Sequence, residues 1–386
     1  MEKRFVYADN AATTAPLPEA IAEMMPYLTE KWGNPSSIHG KGEEAKAALA
    51  AYREKIAGLL GCEAGELLFT SCGTEADNHA IRGAAYANAR KGKHIITTKV
   101  EHPAVLNTCR ALEKEGFRVT YLEVDEEGRV SPEKVDAAIC EDTVLVSVMY
   151  ANNEIGTVMP IREIADVCRK RGVLCMTDAV QAVGSVPISL HELGVDLLTA
   201  SGHKIGAPKG IGLLYIKKGT RIKNLIEGGG QERGRRGGTE NLPYIAAFAK
   251  ALEIAYERLD DNGRIAKMRD RLIDELMKIP RSRLNGSRTE RLPGNVNISF
   301  ECIEGESILL LMDMAGICCS TGSACSSNSL DPSHVLLAIG LPHEVAHGSV
   351  RLTLSHGNTE EDVDYIIEKL TGIVARLRAM SPLWNE

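Results

Sequence analysis

Aromatic residues are scarce in this chain, only 4% of its 386 positions, and positive charge is not in excess, the formal net charge being -7. Nucleic-acid binding wants a basic face and stacking rings, so the two shortages together argue against it. No apolar run approaches the roughly 18 residues needed to span a bilayer. The longest, Ile308 to Cys319, is interrupted by Asp313. Nothing near the start resembles a signal or transit peptide, because Glu2, Lys3 and Arg4 lead directly into a strand-like Phe5-Val6-Tyr7. A cytoplasmic location is the default expectation. The ten cysteines, at 62, 72, 109, 140, 168, 175, 302, 318, 319 and 325, include no C-x-x-C pair. That absence argues against a self-contained zinc or iron–sulfur cage, and no intrinsic metal site is expected. In a large chain without a secretory signal the cysteines read as thiols, most of them small core hydrophobes.

What is present describes an α/β protein. Its length exceeds what one hydrophobic core usually supports, so two closely packed lobes are expected. Short apolar runs at Leu67–Thr70, His94–Val100, Val119–Val124, Val144–Tyr150, Val173–Thr177, Leu197–Ala200 and Gly212–Ile216 predict strands. Helical segments at Glu75–Arg90, Ala104–Glu115 and Ile161–Arg171 separate them. Near-continuous apolar strands between helices predict a mostly parallel central sheet covered on both faces. Such sheets place ligands at the carboxyl ends of their strands. A Gly- and Arg-rich stretch, Gly228–Asn241, then leads into a long helical region from Leu242 to about Ile279. Beyond it, strands at Asn295–Phe300 and Val350–Leu354 and helices at Gly305–Ala315 and Thr359–Arg378 predict a smaller α/β lobe.

Two strand ends carry the chemistry. Val173–Thr177 ends in Asp178, with Gln181 three residues on, and the next strand ends in Ser201-Gly202-His203-Lys204. Pyridoxal phosphate needs that pair: a lysine to carry it covalently and an acid to keep its ring nitrogen protonated. Taken alone, the pair is more often a surface lysine and a capping aspartate. Upstream, Thr70-Ser71-Cys72-Gly73-Thr74-Glu75 joins a strand to a helix; Thr74 could cap the helix while its free N–H groups bind a phosphate. His102 follows another strand, where its imidazole could stack on a flat ring.

These pieces stand in an order that resembles the cysteine desulfurases, within the class V aminotransferase-like group of pyridoxal enzymes. The likeness rests on Tyr7-Ala8-Asp9-Asn10-Ala11-Ala12-Thr13-Thr14, Gly33-Asn34-Pro35-Ser36-Ser37, Ala151-Asn152-Asn153-Glu154-Ile155-Gly156 and Thr177-Asp178-Ala179-Val180-Gln181. Ser201-Gly202-His203-Lys204, Arg235-Arg236-Gly237-Gly238-Thr239-Glu240-Asn241 and Gly322-Ser323-Ala324-Cys325-Ser326-Ser327 continue it nearly end to end. The resemblance implies the fold-type-I architecture of pyridoxal-phosphate-dependent transferases. Residues 15–260 would form the large cofactor domain, and residues 1–14 with 261–386 the small domain carrying the cysteine loop. Lys204 would carry the cofactor and move the substrate Cα proton, Asp178 would pair with the ring nitrogen, Gln181 would bond the ring hydroxyl, and His102 would stack. Gly73, Thr74, Ser201 and His203 would hold the phosphate, and Thr239 would reach the phosphate of a neighbouring subunit in a homodimer. Asn153, beside the cofactor, would grip the substrate carboxylate with Arg351, and Asn34 would join them at the substrate. Arg351 would do so through a two-pronged contact that lysine cannot imitate.

Cys325 sits among small polar residues from Ser320 to Ser329, the composition of a mobile loop. By family likeness its thiolate takes sulfur from L-cysteine, leaving alanine and a persulfide for an acceptor or iron–sulfur scaffold protein. It could also serve transiently as an iron–sulfur ligand. A selenocysteine lyase or an aminotransferase on the same fold is the enzymatic alternative. Outside this chemistry, His343-Glu344-Val345-Ala346-His347 matches the H-E-x-x-H of zinc hydrolases, but Pro342 and Gly348 leave it little more than one helical turn. A catalytically silent assembly scaffold is disfavoured by the presence of Lys204, Asp178 and Cys325 together.

Overall fold

Near-continuous apolar runs, buried on both faces, pair into the sheet that organises the molecule. The structure, a computed structural model, describes residues 4–321 and 332–384. Its strands are β1 (Val6–Tyr7), β2 (Leu67–Thr70), β3 (His94–Thr98), β4 (Arg118–Leu122), β5 (Thr143–Ser147), β6 (Leu174–Asp178), β7 (Leu197–Ser201), β8 (Gly212–Ile216), β9 (Ser282–Leu284), β10 (Asn295–Phe300), β11 (Ile317–Cys318) and β12 (Ser349–Thr353). A seven-stranded sheet has the order β2-β8-β7-β6-β5-β3-β4. Only β8 runs antiparallel to its neighbours; the remaining pairs are parallel.

Alternation along each strand divides the large core between the two faces. Leu67, Phe69, Ile96, Leu213 and Tyr215 enter one cluster, while Leu68, Ile95, Leu214 and Ile216 enter the other. The helix Gly73–Asn88 covers the second face with a stripe of Ala76, Ala80, Ile81, Ala84 and Ala85. The smaller core gathers around the antiparallel sheet β12-β10-β9, where Val296, Ile298 and Phe300 meet Val350 and Leu352. Val6 and Ala8 join that core although they lie near the start of the chain, because β1 pairs in parallel with β11. Residues Val335, Leu336, Ile339 and Leu341 pack instead into the larger one.

Two expectations need correction. The region from Leu242 is not one helix: it breaks at Arg258 into Leu242–Glu257 and Asn262–Leu276, joined by a 3-10 turn at Leu259–Asp261. The break lets Ile265, Met268, Leu272 and Ile273 turn into the small core, so the charge-mixed stretch 260–278, expected as a solvated helix, is solvated on one face only. Nor are the cysteines mostly core residues. Cys109, Cys168 and Cys175 are buried, Cys62, Cys72, Cys302, Cys318 and Cys319 are half-buried, and Cys140 is exposed; each is a free thiol. No helix among the described residues is long and apolar enough to cross a membrane.

Candidate active site

β6 and β7 lie side by side with Asp178 opposite Thr199, so the ends of both strands open at one edge of the sheet. Asp178 is the last residue of β6. Ser201 ends β7, and the chain turns at once through the 3-10 segment Gly202–Lys204. The N-terminal segment folds over this edge. Lys204 Nζ donates to the carbonyls of Ala11 at 2.5 Å and Ala12 at 2.9 Å, and Gln181 Nε2 donates to Ala11 O at 3.0 Å. His203 O accepts from Thr14 N at 3.0 Å, and its Nδ1 lies 3.2 Å from Thr13 Oγ1. Lys204, Gln181 and His203 therefore share one wall.

Charge at this edge is tightly constrained. Asp178 is 5% exposed and accepts a hydrogen bond from Val180 N at 2.9 Å. Burial raises its pKa, while neighbouring His102 and Lys204 pull it back. His102 caps the helix Pro103–Lys114, its Nδ1 accepting from Ala104 N at 3.1 Å, and burial lowers its pKa. The ring is thereby neutral and flat beside the acid. Burial and Lys204 also push the His203 pKa down, to about 4. Behind Asp178 stand two further buried carboxyls that sequence reasoning missed. Asp77 accepts from Thr199 Oγ1 at 2.6 Å, and its pKa is raised by burial and by Asp178. Glu101 is pushed up to about 8, chiefly by burial. Asp77 could have been found, because it falls on the apolar stripe of its helix.

The turn after β2 supplies a cradle. The cap of the helix Gly73–Asn88 is Cys72, whose Sγ accepts from Glu75 N at 3.4 Å, and not Thr74, which lies within the first turn and is exposed. The extended backbone at Cys72 starts the helix two residues earlier than the sequence suggested. Gly73 is pressed against the end of β7: a Cβ there would sit 2.9 Å from Val180 Cγ2 and 3.4 Å from Ser201 Cβ. The helix N-terminus and Ser201 thus stand side by side, and the free N–H groups of a helix's first turn suit an anion.

Arg351, at the centre of β12, is 2% exposed. Its Nη2 donates to Asp9 Oδ1 at 2.9 Å and its Nη1 to Asn153 O at 3.0 Å, while Nε has no partner among the described residues. A buried, unpaired guanidinium donor is costly unless something arrives to accept from it. Asp9 was in the sequence pattern but without a role; its pairing with a residue 342 positions away is what the sequence could not show. A cavity of about 610 Å³ borders Lys204, Gln181, Asn10, Asn295 and Thr353, between the large sheet and the small one. Asn153 is buried, whereas Asn34 and Thr239 are exposed, Asn34 Oδ1 accepting from Ser36 N at 2.9 Å. Cys325 lies outside the described residues. The H-E-x-x-H segment forms a helix of five residues, with the His343 and His347 rings 6.5 Å apart and no third ligand gathered among the described residues.

Comparison with known proteins agrees with this fold. The family described as aminotransferase class-V matches residues 6–366. A curated relative from Clostridium botulinum, named cysteine desulfurase IscS, is 54% identical over 385 residues, 99% of this chain and 97% of its own. A relative of the same name from Methanosarcina thermophila is 54% identical over 383 residues, covering 99% and 95%. Among solved structures, a NifS-like protein superposes with a TM-score of 0.91 at 40% identity, over 97% of this chain and 100% of that one. Another, titled SspA in complex with cysteine, has a TM-score of 0.81 at 34% identity, covering 90% and 98%.

Proposed function

This chain belongs to the class-V aminotransferase family, and from that premise we propose that it is a pyridoxal-phosphate-dependent cysteine desulfurase working as a homodimer. The observation that carries the reading is the amine of Lys204 one strand away from the buried acid Asp178, at the carboxyl edge of the sheet. The residues fit the cofactor: Gly73 leaves a cradle that a Cβ would fill, and Asp178 is a buried acid able to meet a ring nitrogen.

When bound, the cofactor supplies an electron sink that labilises the substrate carbon–sulfur bond. Lys204 carries it and moves the proton at the substrate Cα. Asp178 holds the charge at the ring nitrogen, Gln181 bonds the ring hydroxyl, and neutral His102 stacks. Gly73, Thr74, Ser201 and His203 take the phosphate, with Thr239 contributed across the dimer. Arg351, Asn153 and Asn34 hold the substrate, and the unpaired Nε of Arg351 is a ready donor to its carboxylate. The Cys325 thiolate attacks the substrate sulfur. A sulfur–sulfur bond forms as the carbon–sulfur bond breaks, its electron pair remaining with the carbon, which takes up a proton and leaves as alanine. The persulfide passes to an acceptor or scaffold protein of iron–sulfur cluster assembly.

The test supplies L-cysteine and measures alanine, sulfide and protein-bound persulfide. Lys204→Ala should lose covalent attachment of the cofactor and slow alanine formation by about 10²–10⁴-fold, the range typical of a positioned acid–base group. Cys325→Ala should still bind cofactor and substrate but form no persulfide. Undiminished desulfuration by Cys325→Ala removes that residue from the mechanism, and a keto acid in place of alanine makes the enzyme an aminotransferase.

A further inference from the structure

The edge of the large sheet opposite Lys204 carries a second set of ligating atoms. β3, β4 and β5 run parallel and begin together, with His94 opposite both Arg118 and Thr143. The loop entering β5 delivers Cys140 and Asp142 to the same edge. Cys140 Sγ lies 3.1 Å from His94 Nδ1 and 3.2 Å from Asp142 Oδ1. One ligand atom from each of the three falls within 4.8 Å of the others. The length of a five-residue strand, about 13 Å, separates this group from the edge used by Lys204.

We propose that His94 Nδ1, Cys140 Sγ and Asp142 Oδ1 form a zinc site, with water as the fourth ligand. A mixed nitrogen, sulfur and oxygen set suits the tetrahedral preference of Zn²⁺. Its bond lengths hold ligand atoms about 3.5 Å apart, so the atoms need only spread slightly to admit the ion. His94 is already oriented for the task. Its Nε2 lies 2.8 Å from Thr120 Oγ1, which can accept from Nε2–H and leave the Nδ1 lone pair facing the cysteine. A partner on the far nitrogen is the usual support for a ligating imidazole. Thr143 Oγ1, 2.8 Å from Nδ1, must turn its proton away when the ion binds.

Arg118 is the rival cation. Its Nη2 donates to Cys140 Sγ at 3.1 Å and to Asp142 Oδ1 at 2.9 Å. The side chain is 55% exposed and can swing into solvent as zinc replaces it. Cys140 itself is exposed, which gives the ion a way in. The sequence concealed this site because His94 and Cys140 stand 46 positions apart.

The cofactor-loaded, full-length protein is titrated with zinc against a chromophoric chelator. The wild type should take one more equivalent than Cys140→Ser or Asp142→Asn, whose affinity here falls about tenfold or more. Arg118→Ala should bind more tightly than the wild type, because its competing charge is gone. Cobalt in place of zinc should give a thiolate-to-metal absorption that Cys140→Ser lacks. Retained desulfuration by all three variants shows that they fold. Equal zinc uptake by the wild type and Cys140→Ser overturns the proposal. So does loss in Cys140→Ser alone, with Asp142→Asn and Arg118→Ala both like the wild type, since that pattern marks a bare thiol.

Discussion

Glu101 is a carboxyl group buried behind the candidate site. Its Oε1 accepts from Thr98 Oγ1 at 2.7 Å and from Met149 N at 2.9 Å, while Oε2 has no partner among the described residues. Burial pushes its pKa to about 8, against an ordinary 4.5. The folded chain therefore keeps a proton that the unfolded chain releases. The stability tied to that proton is complete below about pH 4.5 and is lost as pH rises through about 8. Glu101→Gln preserves the acceptor at Oε1 and removes the titration. Its stability relative to the wild type should improve with rising pH across that window, by at most about 1.4 kcal/mol per unit. Denaturant unfolding at about pH 5 and about pH 8 measures the difference; a constant gap means that Glu101 does not titrate there. His203 has the opposite sign: its contribution is full above about pH 6.5 and is lost as pH falls towards about 4. At this scale the sequence exposed Asp178 and Lys204, because each follows an apolar strand. Glu101 stayed hidden, since its environment comes from Met149, 48 positions on.

Elements were legible where their own residues decided them. β2, β8, β10 and the helix Ile161–Arg171 have the limits their patterning predicts. Some ends were less so: Cys72 supplies the cap that Thr74 was expected to give, the helical region breaks at Arg258 just ahead of the turn-forming Asp260-Asp261-Asn262-Gly263, and tertiary partners fix other turns outright. The turn at Gln231–Gly234 shows how such partners act. Glu232 adopts a left-handed φ of 47°, unusual for a residue with a side chain, and Arg53 holds it there. Arg53 Nη2 and Nη1 donate to the two Glu232 oxygens at 2.6 and 3.0 Å, with both side chains under 10% exposed. Glu232 Oε2 also accepts from Phe69 N in β2, so one carboxylate ties the helix Gly40–Leu60, the turn and the sheet together. Arg53→Ala strands a buried charge and should cost about 3–5 kcal/mol. Thermal and denaturant unfolding check this. A loss below about 1 kcal/mol would mean that water reaches Glu232 as it reaches a surface pair.

At the scale of the whole molecule, the sequence shows two α/β patterns but not how they share the chain. β1 pairs with β11 although about 310 residues separate them, and Asp9 reaches Arg351 in the same way. The cleft is thus closed by the N-terminal segment, a long-range contact that no local pattern encodes. Thr239 poses the remaining question. It is exposed, as is Thr74, whereas the proposed phosphate neighbours Gly73 and Ser201 are buried. If Thr239 serves the site of a second subunit, two defective chains can repair one another. In a hybrid of Lys204→Ala and Thr239→Val subunits, the site built on the Thr239→Val chain receives an intact Thr239 from its partner and keeps its own Lys204. Random equimolar exchange makes half the dimers hybrid with one complete site each, about a quarter of all sites. A charge-assisted hydrogen bond contributes about 1.5–3 kcal/mol, so the assay is run with cofactor low enough for its loss to empty the variant site. Mixing the variants under exchange should raise desulfuration above the sum of the parents towards that quarter. Activity that stays at the sum, while sedimentation shows that subunits have exchanged, places Thr239 in its own chain's site or in none.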